Sequence, residues 1–171
     1  QALLLLPGEA VIERQRALFV LGLTHGDVRD PARAVGCFEE VRALAQRTRS
    51  LVPVLDQMTV PRNASAVIRT AEALGLQEMH FIHAHGYLVP QRAVTKRCER
   101  WLDLRQADDA APVIDGLRER GYRILGADFG PEARPIDEVE VTERTAVVLG
   151  SEQEGVSDEV RGQVDELFYI P

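Results

Sequence analysis

The chain has 171 residues, 45% of them apolar and 27% charged, which allows one sizeable core and is the composition of an ordinary globular protein without a disordered tail. Twenty basic residues against 27 acidic ones give a net charge of −7, which excludes indiscriminate wrapping of nucleic acid but not a local contact. The two cysteines, Cys37 and Cys98, stand far apart and outside any CxxC, so neither a disulfide scaffold nor a thiolate zinc site is expected.

The apolar stretch Ala2 to Leu6 is too short to span a bilayer and lacks the flanks of a signal peptide, so a soluble, cytoplasmic protein is expected. Of the basic residues only Lys96 is a lysine. Arginine suits forked contacts with phosphate, although a GC-rich genome produces the same bias. The first residue is Gln1 and the last is Pro171, directly after an apolar run, so both ends read as cut.

From Glu9 to Ser50 the pattern is helical, broken between Gly22 and Pro31, and Cys37 to Arg49 reads as an amphipathic helix with Phe38, Val41 and Leu44 on one face. Residues 1–50 are therefore expected to form a helical lead-in to a second region, 51–171. That region opens with a short apolar strand, Leu51 to Leu55, and a loop through Pro61, Arg62 and Asn63. A helix follows with Ala64, Val67, Ile68, Ala71 and Leu74 on one face, Asn63 or Ser65 as its cap and Gly75 past its end. Met79 to Ile82 is a second strand, and Trp101 to Leu104 a third after a basic connector. Asp108 or Asp109 is expected to cap a helix carrying Val113, Ile114 and Leu117, which Gly121 ends. Tyr122 to Ala127 and Thr145 to Leu149 return as strands. An acidic turn bounded by Gly150 and Gly155 precedes a helix capped by Ser157, and Leu167 to Ile170 is the final strand. Strands that are apolar throughout and alternate with helices imply an α/β fold whose parallel sheet is covered on both faces, with ligands at the carboxyl ends of its strands.

Two loops fall at that edge. Gly150 to Gly155 lacks a Gly-Lys-Ser/Thr ending and a GxGxxG spacing, and its Glu152 and Glu154 would repel phosphate. Those carboxylates suit a cationic ligand such as a sulfonium, or simply the positive end of a helix dipole. In the first loop, Asn63 stands at the helix entrance and Arg69 nearly two turns in. There Arg69 either snorkels and pairs with Glu72, or presents its guanidinium to phosphate or a reacting oxygen. His80, His83 and His85 crowd together, but strand alternation sends His80 to the opposite face from the other two, so no metal is expected. Between Gln91 and Arg105, the side chains of Arg92, Lys96, Arg97, Arg100 and Arg105 outnumber Glu99 and Asp103. That stretch is either a phosphate-contacting patch or a solvated loop anchored by Trp101.

Taken together, Pro61-Arg-Asn-Ala-Ser-Ala-Val-Ile-Arg-Thr-Ala-Glu-Ala-Leu-Gly75 and Val148-Leu-Gly-Ser-Glu-Gln-Glu-Gly-Val-Ser157, in this order and spacing, resemble the first two signature motifs of the SpoU/TrmH family, SPOUT-class RNA 2′-O-ribose methyltransferases. The similarity runs from about Phe38 to Pro171. It implies a parallel-sheet α/β knot, S-adenosylmethionine bound in the knot, an RNA substrate, most closely tRNA methylated at a D-loop guanosine, and a homodimer. It also implies roles for individual residues. Asn63 and Arg69 match the first-motif asparagine and the arginine credited with activating the ribose hydroxyl, and Glu152 matches the second-motif glutamate that supports the site. Ala127, Gly150, Gly155 and Ile170 fall at cofactor-pocket positions, while Arg62, Arg92, Lys96, Arg97 and Arg100 are expected to meet RNA. One departure matters: Ile170-Pro171 matches the opening of the third motif, whose Ser-Leu-Asn run and knot-completing helix do not follow. A chain of this length is thus expected to be impaired, and a catalytically inactive RNA-binding relative is the alternative reading.

Overall fold

The computed structural model describes residues 46–83, 88–151 and 153–171. By backbone contacts the chain divides between Thr48 and Arg49, and the fold of the unit from Arg49 to Pro171 positions the site. The expected helical lead-in lies outside the described residues, except for Gln46 to Ser50, which are not helical.

The elements are β1 (Leu51–Asp56), α1 (Pro61–Ala73), β2 (Glu78–Ile82), α2 (Arg92–Thr95), β3 (Asp103–Ala107), α3 (Ala110–Glu119), β4 (Arg123–Ala127), β5 (Arg134–Pro135), β6 (Thr145–Leu149), α4 (Asp158–Arg161) and β7 (Glu166–Tyr169). The strands form one seven-stranded sheet in the order β3-β2-β1-β6-β4-β7-β5, and every pairing is parallel. Burial on both faces explains the apolar strands. Val52, Val54, Ile124, Ala146 and Val148 pack with Val113, Ile114 and Leu117 of α3 in one core cluster. Leu55, Met79, Phe81 and Leu104 pack with Ala64, Ile68 and Ala71 of α1 in a second. Alternate residues of β1 thus serve opposite faces, as a pleated strand requires.

Strand order also marks where a ligand belongs. After β1 the chain departs to one side, to β2, whereas after β6 it departs to the other, crossing β4 to reach β7. Adjacent parallel strands whose connections diverge leave a crevice at their carboxyl ends, the usual ligand position in open α/β sheets.

Several boundaries differ from the sequence expectation. Helix α1 begins at Pro61, with Val60 at the N-cap and no side-chain cap bond. The start signal is Pro61 itself: its fixed φ suits the first helical position and its missing N–H is not needed there. Asn63 therefore lies inside the first turn, and Ser65 is no cap but a staple, donating to the Pro61 carbonyl at 2.6 Å and accepting from the Gln91 N–H at 2.8 Å. Asp109 stands at the N-cap of α3 without a cap bond: the N3 residue is Pro112, which has no N–H to give, and the Ala110 N–H donates to Glu159 Oε1 at 3.3 Å. Ser157 does cap α4, accepting from the Val160 N–H. Trp101 closes a 3-10 turn, Cys98–Trp101, and the third strand starts at Asp103. The basic connector contains that turn and α2, which is too short to carry a helical period.

Candidate functional site

At the carboxyl ends of β4, β6 and β7 lies a cleft of about 400 Å³, lined by Ala127, Asp128, Phe129, Leu149 to Ser151, Gln153 to Gly155 and Phe168 to Ile170. Three strands contribute their last residues and the second-motif turn forms one wall. That turn is closed on itself: the Ser151 N–H donates to the Gly155 carbonyl at 2.9 Å and the Gly155 N–H returns to Ser151 O at 3.0 Å. Ser151 Oγ accepts from the Glu154 N–H at 3.1 Å. Such closure needs glycine at both ends. Gly155 has φ +70°, and a Cβ on Gly150 would sit 1.8 Å from the Gly155 carbonyl oxygen and 2.2 Å from the Val156 nitrogen. Neither contact can be relieved by moving a side chain.

Opposite this turn, Asp128 reaches over from the end of β4. Its Oδ1 accepts from the Phe129 N–H at 2.8 Å and its Oδ2 is ion-paired with Arg161 Nη2 at 2.9 Å. Phe129 is 86% exposed, its ring 6.2 Å from that of Tyr169. Asp128, Phe129 and Tyr169 escaped the sequence reading. The available signal was position alone, since each follows or ends a strand at the ligand edge.

The four expected cofactor residues, Ala127, Gly150, Gly155 and Ile170, all line this one cleft. Glu152 lies outside the described residues. The first-motif residues are not in the lining. Asn63 occupies the third position of α1, and Arg69 is exposed farther along it, its Nη1 donating to the Val94 carbonyl of α2 at 3.3 Å. Helix α1 follows β1, the neighbour of β6, with Leu55 in register with Leu149, so both motifs leave the sheet side by side. Arg62, Arg92, Lys96, Arg97 and Arg100 are exposed on α1 and the connector packed beside it, and Arg100 stacks over Trp101 at 4.3 Å.

Between the two motifs lies a buried polar group. Asp56, the last residue of β1, accepts from the Ser157 N–H at 2.6 Å. Burial pushes its carboxyl above the usual range, hydrogen bonds from Ser157 partly offset that, and the Glu159 charge adds to it. His83, just past β2, is held below the usual imidazole range by burial against the opposing pull of Asp56. His80 is a different case, buried and bonded to Glu78 Oε1 at 2.8 Å, and His85 lies outside the described residues. Among the described residues no cluster of three metal-ligating side chains occurs, and no helix is long and apolar enough to cross a membrane.

Comparison with known sequences decides the family, since a profile of the SpoU rRNA Methylase family matches residues 50–171. The chain belongs to the SpoU methylase family. A tRNA (guanosine(18)-2′-O)-methyltransferase of Thermus thermophilus is 32% identical over 133 residues, covering 78% of this chain and 68% of the relative. The Aquifex aeolicus TrmH/SpoU tRNA modifying enzyme aligns with a TM-score of 0.70 at 24% identity, over 95% of this chain and 72% of that one. The SpoU methyltransferase AviRb of Streptomyces viridochromogenes, solved with AdoMet, aligns with a TM-score of 0.64 at 21% identity, over 76% and 54% of the two chains. These two structures carry the fold. This SpoU-family chain spans between 56% and 68% of the length of the guanosine-18 relatives it matches.

Proposed function

We propose that this SpoU-family chain transfers a methyl group from S-adenosylmethionine to a ribose 2′-hydroxyl of RNA, with tRNA as the substrate, as a cytoplasmic homodimer. The observation that carries the reading is the convergence of Ala127, Gly150, Gly155 and Ile170 on one cleft at the ligand edge of the sheet. The cleft suits the donor. Its volume falls within the range for small-ligand sites, about 300–1,000 Å³. Gly150 lets the turn's backbone close tightly to form the cleft wall, and Glu154 places a carboxylate in the lining that favours a sulfonium over a phosphate.

When bound, the cofactor supplies an electrophilic methyl carbon. With the donor held by the cleft residues, that carbon would be the acceptor for a ribose 2′-oxygen, with the sulfonium sulfur as leaving group and the hydroxyl proton passing to solvent. What this chain's residues contribute is alignment and charge. The closed turn from Ser151 to Gly155 and the ends of β4 and β7 hold the donor. Arg69, its guanidinium anchored at the Val94 carbonyl, supports the developing oxyanion or the neighbouring phosphate. Because arginine stays protonated at neutral pH, its part is electrostatic positioning and the proton leaves by another acceptor. Asn63, in the first turn of α1, and Glu152, in the second motif, take the supporting roles that their motif positions imply. Arg62, Arg92, Lys96, Arg97 and Arg100 form a local basic face for the RNA backbone in an acidic protein.

The test is titration of the gene product containing this chain with S-adenosylmethionine, followed by transfer of labelled methyl to tRNA transcripts. Saturable donor binding is expected, abolished by Gly150→Val without loss of the circular dichroism spectrum. Methyl transfer is expected to fall about 100-fold or more in Arg69→Ala, the size of loss seen when a transition-state charge partner is removed. Binding of tRNA without the donor would replace this reading with an inactive RNA-holding relative, and binding of neither would end it. Sedimentation that gives a monomer at micromolar concentration would remove the dimer.

A further inference from the structure

We infer that Asp56 is a positioning residue for the donor turn: its buried carboxylate grips the Ser157 N–H and thereby fixes the turn from Ser151 to Gly155 against β1. The inference rests on the proposed methyl-donor cleft for its functional meaning, but its geometry stands independently.

Past the turn Val156 is buried in the core, but among the described residues the turn itself has few ties. Its own closure is two backbone hydrogen bonds and one from Ser151 Oγ, and Gln153 and Glu154 are exposed. Two residues past its end, Ser157 presents its N–H to Asp56 Oδ2 at 2.6 Å, across 101 residues of sequence. The bond ties the exit of the turn to the neighbouring strand, so the turn is fixed at β6 on one side and at β1 on the other. The chain around Asp56 is itself rigidly set. Gln57 takes a left-handed φ of 49°, and its N–H donates to the Ile82 carbonyl at 2.9 Å.

Asp56 is costly for stability alone. It is fully buried, and Oδ1 has no hydrogen-bond partner among the described residues. The charged or titratable groups that face it are His83 from the end of β2, which favours the carboxylate, and Glu159 from α4, which opposes it. His83 Nε2 is likewise buried without a partner among the described residues. A carboxylate buried without a matched cation destabilises a fold relative to a neutral side chain of similar size. Such local violations concentrate where a site must be held in place.

The test compares Asp56→Ala with Asp56→Asn by hydrogen exchange on the gene product. Asparagine keeps an oxygen that can accept from Ser157 N–H, so it separates the grip from the charge. In Asp56→Ala the amides of Ser151, Gly155 and Ser157 are expected to exchange at least tenfold faster, while Val54 and Val148 of the central strands keep their rates. In Asp56→Asn the turn amides should stay within about threefold of the parent. If Asp56→Ala does not fold, Ser157→Pro removes the same N–H from the other side, since Ser157 already has φ −62°, close to the value proline imposes, and Ser157→Ala, which keeps the N–H but loses the α4 cap, is its control. Ser157→Pro should loosen the Ser151 and Gly155 amides. Turn amides that keep their rates in a folded variant, or amides that accelerate equally everywhere, would overturn the inference. S-adenosylmethionine titration of the same variants adds the functional arm. Donor affinity should drop at least tenfold in Asp56→Ala and less than threefold in Asp56→Asn; unchanged affinity in Asp56→Ala would remove the positioning role. A parent protein that binds no donor would instead refute the cleft's proposed function and leave the exchange result to judge the grip.

Discussion

The two edges of the sheet treat buried carboxylates in opposite ways. At the amino edge, Glu78 opens β2 fully buried, and every neighbour answers it. Arg120 donates to both of its oxygens at 2.6 and 2.8 Å, Arg49 to Oε2 at 2.6 Å and His80 to Oε1 at 2.8 Å. Arg49 extends the network to Asp103 at 2.5 Å. Burial alone would push the Glu78 carboxyl up, but these donors outweigh it and hold the group far below the usual carboxylate range. At the carboxyl edge, Asp56 is buried as completely yet draws its hydrogen bonds from Ser157 alone and leaves one oxygen unpartnered among the described residues, and burial wins. One edge is built to hold the sheet together; the other accepts electrostatic cost where the donor turn must be fixed. A polar group's burial therefore says little until its partners are counted.

The largest expected effect lies at the amino edge. Glu78→Ala strands Arg49, Arg120 and His80 around an empty site, and breaking a buried ion-pair network by removing one partner costs about 3–5 kcal/mol. Urea unfolding should show the midpoint falling sharply, or no folded protein at all. A change below about 1 kcal/mol would mean that the network is not what holds this edge. Asp56→Asn serves as the opposite case, because removing its charge should leave stability at neutral pH unchanged or raised.

This contrast was not legible in the sequence. Glu78 gathers Arg49 from 29 residues upstream and Arg120 from 42 downstream, and Asp56 meets Ser157 across 101. No local pattern carries such pairings, since strand order creates them. What was legible followed from period and spacing. The strands Arg123–Ala127 and Thr145–Leu149 are apolar because both faces of the sheet are covered. The turn from Gly150 to Gly155 could be read because its glycines stand where backbone must approach backbone. The start of α1 was misjudged because Asn63 looks like a cap, whereas Pro61 sets the first turn. The elements α2 and β5, of four and two residues, are shorter than any period that could announce them.

Acid should separate the two edges with opposite signs. For Glu78 the folded state holds the proton more weakly than the unfolded chain does. Its stabilisation is thus present above the unfolded carboxylate pKa and lost as pH falls toward the folded value. For Asp56 the folded pKa is raised, so its contribution is fully present below the unfolded pKa and lost as pH rises through the folded one. His83, held neutral by burial, gives stability above the ordinary imidazole pKa that is lost as pH falls. The parent protein minus Glu78→Gln should therefore show a stability difference that shrinks on acidification. The parent minus Asp56→Asn should show one that moves in the parent's favour as pH drops from neutral toward 4. Chemical unfolding of the three proteins at several pH values reads both. Parallel profiles for the parent and Asp56→Asn would mean that Asp56 titrates as an ordinary surface acid and that the two edges do not differ.

The smallest expected effect comes from the exposed basic face, where the two functions of one side chain can be told apart. Arg100 stacks over Trp101 at 4.3 Å, a contact that at an exposed site is worth about 0.5–1 kcal/mol. Arg100→Ala should lower stability by no more than that. If the connector carries RNA phosphate, the same variant should weaken tRNA binding severalfold and reduce the slope of log affinity against log salt by about one, the signature of a lost phosphate contact. Arg100→Lys keeps the charge but loses the planar stack, so it should restore the salt slope without restoring Trp101 packing. If instead the salt slope stays constant in both variants while stability falls in both, the connector is a solvated loop pinned by Trp101. The basic residues that touch RNA must then be sought elsewhere on this face, at Arg62, Arg69, Arg92, Lys96 and Arg97.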